Sequence, residues 1–355
     1  MGGGVTNIKL SLLAGVSALA IVVAHPESML AADIPAKPAL VTKAPPAAFR
    51  DRWSWWVEGG AIRVDGDPGV GGLAGFNVDP KKWGWEGAVG VEYRPGMSPW
   101  IWSAQFRYGR NGTGAVAYSN PLAVFQPLGI SSTPVAAVGN NAASGKEYHW
   151  AADFMVGRDL GLGQGRTTAR FGVRIAQIRG KTNGSAQWGP FPVAFTSANC
   201  ATPSSAIPYC GSERRDYEVK NSFIGAGPRA AIDGQLPLGG NWALEYGVGV
   251  AALYGRRKAE QTVNITQVNP TTTPTNAFVC IAGCPNSLTS TSNGFVFNTD
   301  AMLGVSYAFS QNVSLLLNYR FDGYWNALRG FDSNGNLTNL DRFYHGPMLR
   351  LTATY

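Results

Sequence analysis

Residues 83–94 read WGWEGAVGVEYR, and their alternation decides the fold. Trp83, Trp85, Val89, Val91 and Tyr93 fall on one parity, while Gly84, Glu86, Ala88, Gly90, Glu92 and Arg94 fall on the other. Successive side chains of a strand point to opposite faces, so this stretch predicts a strand with one apolar and one wet face. Residues 100–110, WIWSAQFRYGR, repeat the rule, with Trp100, Trp102, Ala104, Phe106 and Tyr108 opposite Ser103, Gln105 and Arg107. In residues 313–322, VSLLLNYRFD, Val313, Leu315, Leu317, Tyr319 and Phe321 oppose Ser314, Asn318, Arg320 and Asp322.

Composition narrows the classes further. The chain has 355 residues, 45 of them Gly, and only 14% are charged; a soluble domain carries about a quarter charged residues and roughly 7% Gly. With 16 Phe, 13 Tyr and 11 Trp, it is too aromatic to be disordered. Beyond residue 32 no run of ~18 apolar residues could cross a membrane as a helix. The first 32 residues read as a secretory signal peptide: Lys9 is positive, residues 10–24 (LSLLAGVSALAIVVA) are apolar but too short to span, and Ala24, Ala31 and Ala32 offer cleavage sites. Residues 33–52 form a Pro-rich segment expected in the periplasm, and residues 53–355 the barrel domain.

The same alternation test predicts ten strands, near Trp53–Arg63, Trp83–Arg94, Trp100–Arg110, Glu147–Arg158, Thr167–Arg179, Asp216–Asp233, Trp242–Arg256, Phe295–Phe309, Val313–Trp325 and Asp341–Tyr355. Connections after the even strands are short (residues 95–99, 159–166, 234–241 and 310–312), whereas those after the odd strands are long and polar. That sorting predicts an all-β, antiparallel, up-and-down transmembrane barrel of about ten strands, with eight and twelve the neighbouring even counts, and with short periplasmic turns and long extracellular loops. In this topology Trp53, Trp55, Trp100, Trp102, Trp242, Phe309 and Tyr355 form a lower aromatic girdle. Trp83, Trp85, Tyr108, Tyr148, Trp150, Tyr217, Tyr254, Phe295, Phe297 and Phe343 form an upper one. In the sixth strand Tyr217, Val219 and Phe223 differ in parity from Ala230 and Ile232, which predicts a bulge at Gly227–Pro228 that turns Arg229 inward.

Cys200, Cys210, Cys280 and Cys284 suit an exported chain, and closing the shortest loops pairs Cys200 with Cys210 and Cys280 with Cys284 as disulfides. A metal site from all four has neither the C-x-x-C spacing nor a nearby His, so no metal is expected. Gly225, Gly227 and Ala230 mimic a dinucleotide fingerprint, but Pro228 and the β pattern deny it a helix N-terminus, and no cofactor is expected. A pI near 9.3 is compatible with nucleic acid, yet the arginines are scattered over many strands and no nucleic-acid partner is expected.

Two stretches carry a family resemblance. AADIPAKP (31–38) with KAPPA (43–47) resembles the mature start of many alphaproteobacterial outer-membrane barrel proteins. Residues 223–255, FIGAGPRAAIDGQLPLGGNWALEYGVGVAALYG, and the closing FYHGPMLRLTATY are similar to the pore-forming major outer membrane proteins of the Legionella type, most clearly at Gly227, Pro228 and Arg229. Tyr355, with Leu349, Leu351 and Ala353 on its own face, resembles the terminal signal read by the barrel-assembly machinery. The resemblance implies a pore-forming barrel of the cell outer membrane and adds no catalytic residues.

The wet face then carries any function. It presents Glu86, Glu92, Arg107, Asp153, Arg170, Arg174, Glu218, Lys220, Arg229, Glu245, Asp300, Arg320, Asp322 and Arg350, nearly balanced in sign. These residues are expected to line the lumen of a porin-like pore for small polar solutes or ions. A satisfied salt-bridge network in a non-conducting structural or adhesion barrel is the alternative. An omptin-like protease would need acidic residues beside a rim His; His149 and His345 have only Glu147 and Asp341 nearby, and no enzyme is expected. The expected partners are outer-membrane lipid, lipopolysaccharide, the barrel-assembly machinery and small polar solutes, with the oligomeric state left open.

Overall fold

The computed structural model describes residues 51–66, 82–96, 98–125, 135–161, 165–188, 212–268, 279–280, 286–331 and 336–355. The expected signal peptide, nearly all of the Pro-rich segment and the side chains of the four cysteines lie outside the described residues. The strands are β1 (Arg52–Asp65), β2 (Lys82–Arg94), β3 (Trp100–Phe125), β4 (Val135–Asp159), β5 (Arg166–Trp188) and β6 (Ser212–Gly239). They continue with β7 (Trp242–Val268), the two-residue β8 (Val279–Cys280), β9 (Asn286–Ala308), β10 (Val313–Phe331) and β11 (Leu337–Thr354). Ten long strands pair antiparallel with their sequence neighbours, β8 lies against β7, and β1 pairs with β11 to close the sheet.

The registers fix the barrel's geometry. Stepping between paired residues from Trp53 through Tyr93, Trp102, Val156, Phe171, Ala230, Val250, Thr299, Gly323 and Phe343 returns to β1 at Asp65, not at Trp53. A stagger of that size over ten strands tilts them by about 40° and sets a backbone radius of about 10 Å, given strand spacings of ~4.8 Å and rises of ~3.3 Å. Side chains from opposite walls therefore meet in the lumen.

Short turns close one end. Pro95 O accepts from Ser98 N–H at 3.1 Å, and Phe309 N–H donates to Val313 O at 2.9 Å. Gly240 and Asn241 make the two-residue reversal between β6 and β7, and Gly239 and Gly240, at φ of 111° and 58°, take a backbone region where L side chains would be strained. Asp51 accepts from Gly96 N–H at 2.9 Å and from the Tyr93 hydroxyl at 3.0 Å, and the first of these contacts holds its carboxyl below the usual range.

Both aromatic girdles are present on the outer wall. Trp53, Trp55, Trp100, Trp102, Trp242, Phe309 and Tyr355 are exposed near the short turns, and Trp83, Trp85, Tyr254, Phe295 and Phe297 are exposed toward the other end. Val89, Val173, Val248 and Leu303 are exposed between them. Tyr217 corrects the expectation: it points inward and is 3% exposed.

The sixth strand also differs from the sequence reading. The β5–β6 register runs unbroken from Arg166↔Gln235 to Trp188↔Glu213, so no bulge occurs at Gly227–Pro228. Tyr217, Val219, Phe223 and Arg229 all share the lumen parity, and Ile224 and Ile232 face out. Above the upper girdle the sidedness inverts: the inside there is an apolar core and the outside is wet, so apolar residues no longer mark the lipid face. A register shift occurs instead in β10, between Tyr324 and Leu328, where Asn326 adopts φ 56° and its N–H donates to Asp341 Oδ1 at 2.8 Å. Asn tolerates the left-handed region better than most residues.

Closure between β1 and β11 can be tested covalently. Ser54 and Thr354 are partners with their hydroxyl oxygens 3.0 Å apart, flanked by the reciprocal Trp53–Tyr355 backbone bonds that leave 54/354 a close, non-hydrogen-bonded pair. In a Cys-free background the Ser54→Cys, Thr354→Cys variant should crosslink on oxidation and migrate as an unreduced cyclic species after boiling. Absence of the crosslink in folded protein would contradict the closure.

Candidate functional site: the charged lumen

Alternation carries the polar face of every strand into the barrel, and a central belt of charge forms where the faces converge. Arg320, from β10, donates through Nη1 to Glu86 at 2.5 Å and through Nη2 to Glu58. Glu58 also accepts from Arg350 Nε at 2.5 Å, and Glu86 lies 2.8 Å from His149 Nε2. Across the lumen Arg174 grips Asp153 with two bonds, 2.6 and 2.7 Å, and reaches Asp300 at 3.1 Å and Asn298 with Nη1. Arg229 donates to both oxygens of Asp300, and Arg107 lies 3.0 Å from Asp322. Asn298 Nδ2 joins the halves by donating to Asp322 Oδ1 at 2.6 Å.

Five arginines (Arg107, Arg174, Arg229, Arg320, Arg350) thus face five carboxylates (Glu58, Glu86, Asp153, Asp300, Asp322), and the charges cancel within the belt. Arg174 is 0% exposed and Glu86 and Arg107 are each 3% exposed. Charges so desolvated need partners: Arg174 and Arg229 have bidentate carboxylates in Asp153 and Asp300, whereas Arg107 has the Asp322 charge beside it while its Nε and Nη2 make no hydrogen bond.

The two ends of the lumen differ. Toward the short turns lies a cavity of about 360 Å³ lined by Trp56, Glu92, Ser103, Arg166, Arg170, Asp233 and Glu245. Within it Arg170 bridges Glu92 at 2.7 Å and Asp233 at 2.5 Å, and the Arg350 guanidinium stacks over Trp56 at 4.4 Å. Toward the long connections the lumen is filled: Ile178, Phe223, Leu253, Val296, Tyr324, Leu328 and Tyr344 form one buried cluster with Ile62, Val64 and Met348. Glu147 sits inside this layer and is satisfied by Tyr344 Oη at 2.7 Å and Arg342 Nε at 3.0 Å.

Of the residues expected in the lumen, Glu86, Glu92, Arg107, Asp153, Arg170, Arg174, Arg229, Asp300, Arg320, Asp322 and Arg350 meet in this network, and Glu245 lines the cavity. Glu218 and Lys220 do not: they lie on the outer parity of β6, where Glu218 binds Lys181 at 2.6 Å and also Lys220. The inversion of sidedness above the girdle moved them. Glu58, Glu147, His149, Asp233 and Arg342 are lumen residues that the sequence reading passed over. Glu58 could have been found, since it alternates with outward Trp53, Trp55 and Val57; Glu147 and His149 likewise oppose Tyr148 and Trp150.

Breaking the belt at its most connected member should be costly. Arg174→Ala takes two guanidinium bonds from buried Asp153 and leaves Asp300 to Arg229 alone, and losing one partner of a buried pair costs about 3–5 kcal/mol. The urea midpoint for unfolding the variant in detergent or lipid should fall accordingly, and an unchanged midpoint would show that the belt is not stabilising in this sense.

Residues 108–354 match the family model described as the Legionella pneumophila major outer membrane protein precursor. No curated protein is significantly similar in sequence. Among solved structures, the chain is similar to the outer membrane protease OmpT of Escherichia coli, at 9% identity and a TM-score of 0.35, covering 86% of this chain and 96% of that one. A major outer membrane protein of Thermus thermophilus aligns at 11% identity and a TM-score of 0.28, covering 86% of this chain and 100% of that one. With the family model spanning well over half of its length, the chain belongs to the Legionella major outer membrane protein family and is an outer-membrane β-barrel.

Proposed function

We propose that this barrel is closed at rest and acts as a scaffold of the outer membrane, presenting its long strand extensions and loops at the cell surface. The observation that carries the reading is the double seal in the lumen: a charge-neutral belt of ten paired groups, capped by a layer in which Ile178, Phe223, Leu253, Val296 and Leu328 are each 0% exposed. A hydrated ion crossing it would have to part buried ion pairs and then displace close-packed apolar side chains, both costly in a low-dielectric interior.

A pore for small polar solutes is the second reading, favoured by the polar cavity of about 360 Å³ below the belt. Arg174 and Arg320 each hold more than one carboxylate, so exchange of partners could open a narrow path. Five positive and five negative groups in the belt would give such a path only weak ion preference. A proteolytic role draws no support from the histidines: His149 is committed to Glu86 inside the barrel, and His345 faces outward between Asp65 and Tyr319.

Refolded protein in a planar bilayer decides between the two. The closed-scaffold reading expects an electrically silent bilayer. Stable conductance steps would overturn it in favour of the pore, and Arg320→Ala should then shift the reversal potential toward cations.

A further inference from the structure

The outer wall above the upper girdle is not uniform. On β4 to β7 the last outward aromatic or aliphatic residue of each strand is followed, toward the long connections, by basic ones: Trp150 and Tyr148 by Lys146, Ile175 by Arg179 and Lys181, Ile224 by Lys220, and Tyr254 by Arg256 and Lys258. The registers put Lys146, Lys181 and Lys220 directly opposite one another on three successive strands. Like charges in such positions repel and destabilise a sheet, so the row needs a counter-charge.

The protein supplies only part of it. Glu218 is shared between Lys181 and Lys220, and Glu260 pairs with Lys258. Lys146, Arg179 and Arg256 are exposed and have no carboxylate within salt-bridge distance among the described residues. With the Arg214–Asp216 pair farther out on β6, seven cations thus face three carboxylates over a continuous four-strand surface. On the opposite wall the outward Arg63 is neutralised by Asp65 at 2.9 Å.

We infer that this face binds the anionic headgroup of an outer-leaflet glycolipid, with phosphate or carboxylate groups docking on the lysine row and acyl chains running down over Tyr148, Trp150, Tyr254 and Phe295. The position selects that occupant. The cations sit one to three outward positions beyond the last apolar residue of each strand, at the depth of the headgroups on the side of the long extracellular connections. Below them lies a continuous apolar wall, as an acylated ligand needs and a free polyanion does not. Lys and Arg side chains can also reach up or down along the wall to meet the headgroups. The inference rests on placement in the outer membrane and is independent of whether the lumen conducts.

The test uses refolded full-length protein in a neutral detergent, titrated with diphosphorylated lipid A. Binding should weaken with salt. The triple variant Lys146→Gln, Arg179→Gln, Lys181→Gln should lose affinity by a large factor, taking about fivefold per cation as the scale. Arg158→Gln, an outward cation at the periplasmic rim, should bind as the unaltered protein does. Lipid A stripped of its phosphates should bind weakly, and inorganic phosphate at matched concentration should not compete, which separates a lipid-borne anion from a free one. Unchanged affinity in a triple variant that retains heat-modifiable mobility, or equal binding of dephosphorylated lipid A, would overturn the inference; so would full competition by inorganic phosphate.

Discussion

In hydrocarbon no water is available to satisfy a peptide group, so every backbone N–H and C=O of a spanning segment must find its partner within the protein. The pairing of β1 with β11 meets that constraint, because it removes the sheet edges that lipid would otherwise face. Closure with this strand number and stagger then dictates the rest. It fixes the tilt, holds the radius near about 10 Å, and leaves a lumen too narrow for the inward faces of ten strands to avoid one another.

Those inward faces carry charge because they alternate with lipid-facing residues and the apolar positions are already spent on the membrane. A narrow lumen leaves such charges three options: water, pairing or neutralisation. The central layer takes the second, with Arg174 and Arg320 each spread over two or more carboxylates and the sum balanced. Farther from the short turns the strands extend beyond the membrane, the outer wall meets water and the lumen becomes an apolar core around Phe223, Leu253 and Tyr344. The outside correspondingly turns polar, and basic on β4 to β7. The belt, the core and the lysine row are thus three results of one closed sheet crossing from lipid into water.

Strand number, both girdles and most belt residues were legible in the sequence, because the lipid-facing parity is apolar at Trp85, Val89, Phe106 and Leu317, although Ile101, Met155 and Leu316 show that the inward parity is not wholly polar. The rule fails where its physical basis ends. Tyr217, Val219 and Phe223 are apolar and inward, Glu218 and Lys220 charged and outward, and treating the first three as lipid-facing forced a bulge at Gly227–Pro228 that the straight register does not need. The strands also run well past their expected ends, β3 to Phe125 and β6 from Ser212, since polar Gly-, Ser- and Asn-rich segments show no alternation to read. Which arginine meets which carboxylate was not legible at all, since Arg174 and Asp300 are brought together only by the stagger of the closed barrel.

The central claim is that the lumen is sealed above its charged belt, and thiol accessibility tests it most directly. In a Cys-free background, Ser103→Cys in the lower cavity and Leu253→Cys in the apolar layer can be exposed to a small water-soluble maleimide in folded, lipid-embedded protein. The account predicts rapid labelling of the thiol at 103 and none at 253 until the barrel is unfolded. Labelling of both at similar rates would reveal a continuous aqueous path and contradict the seal.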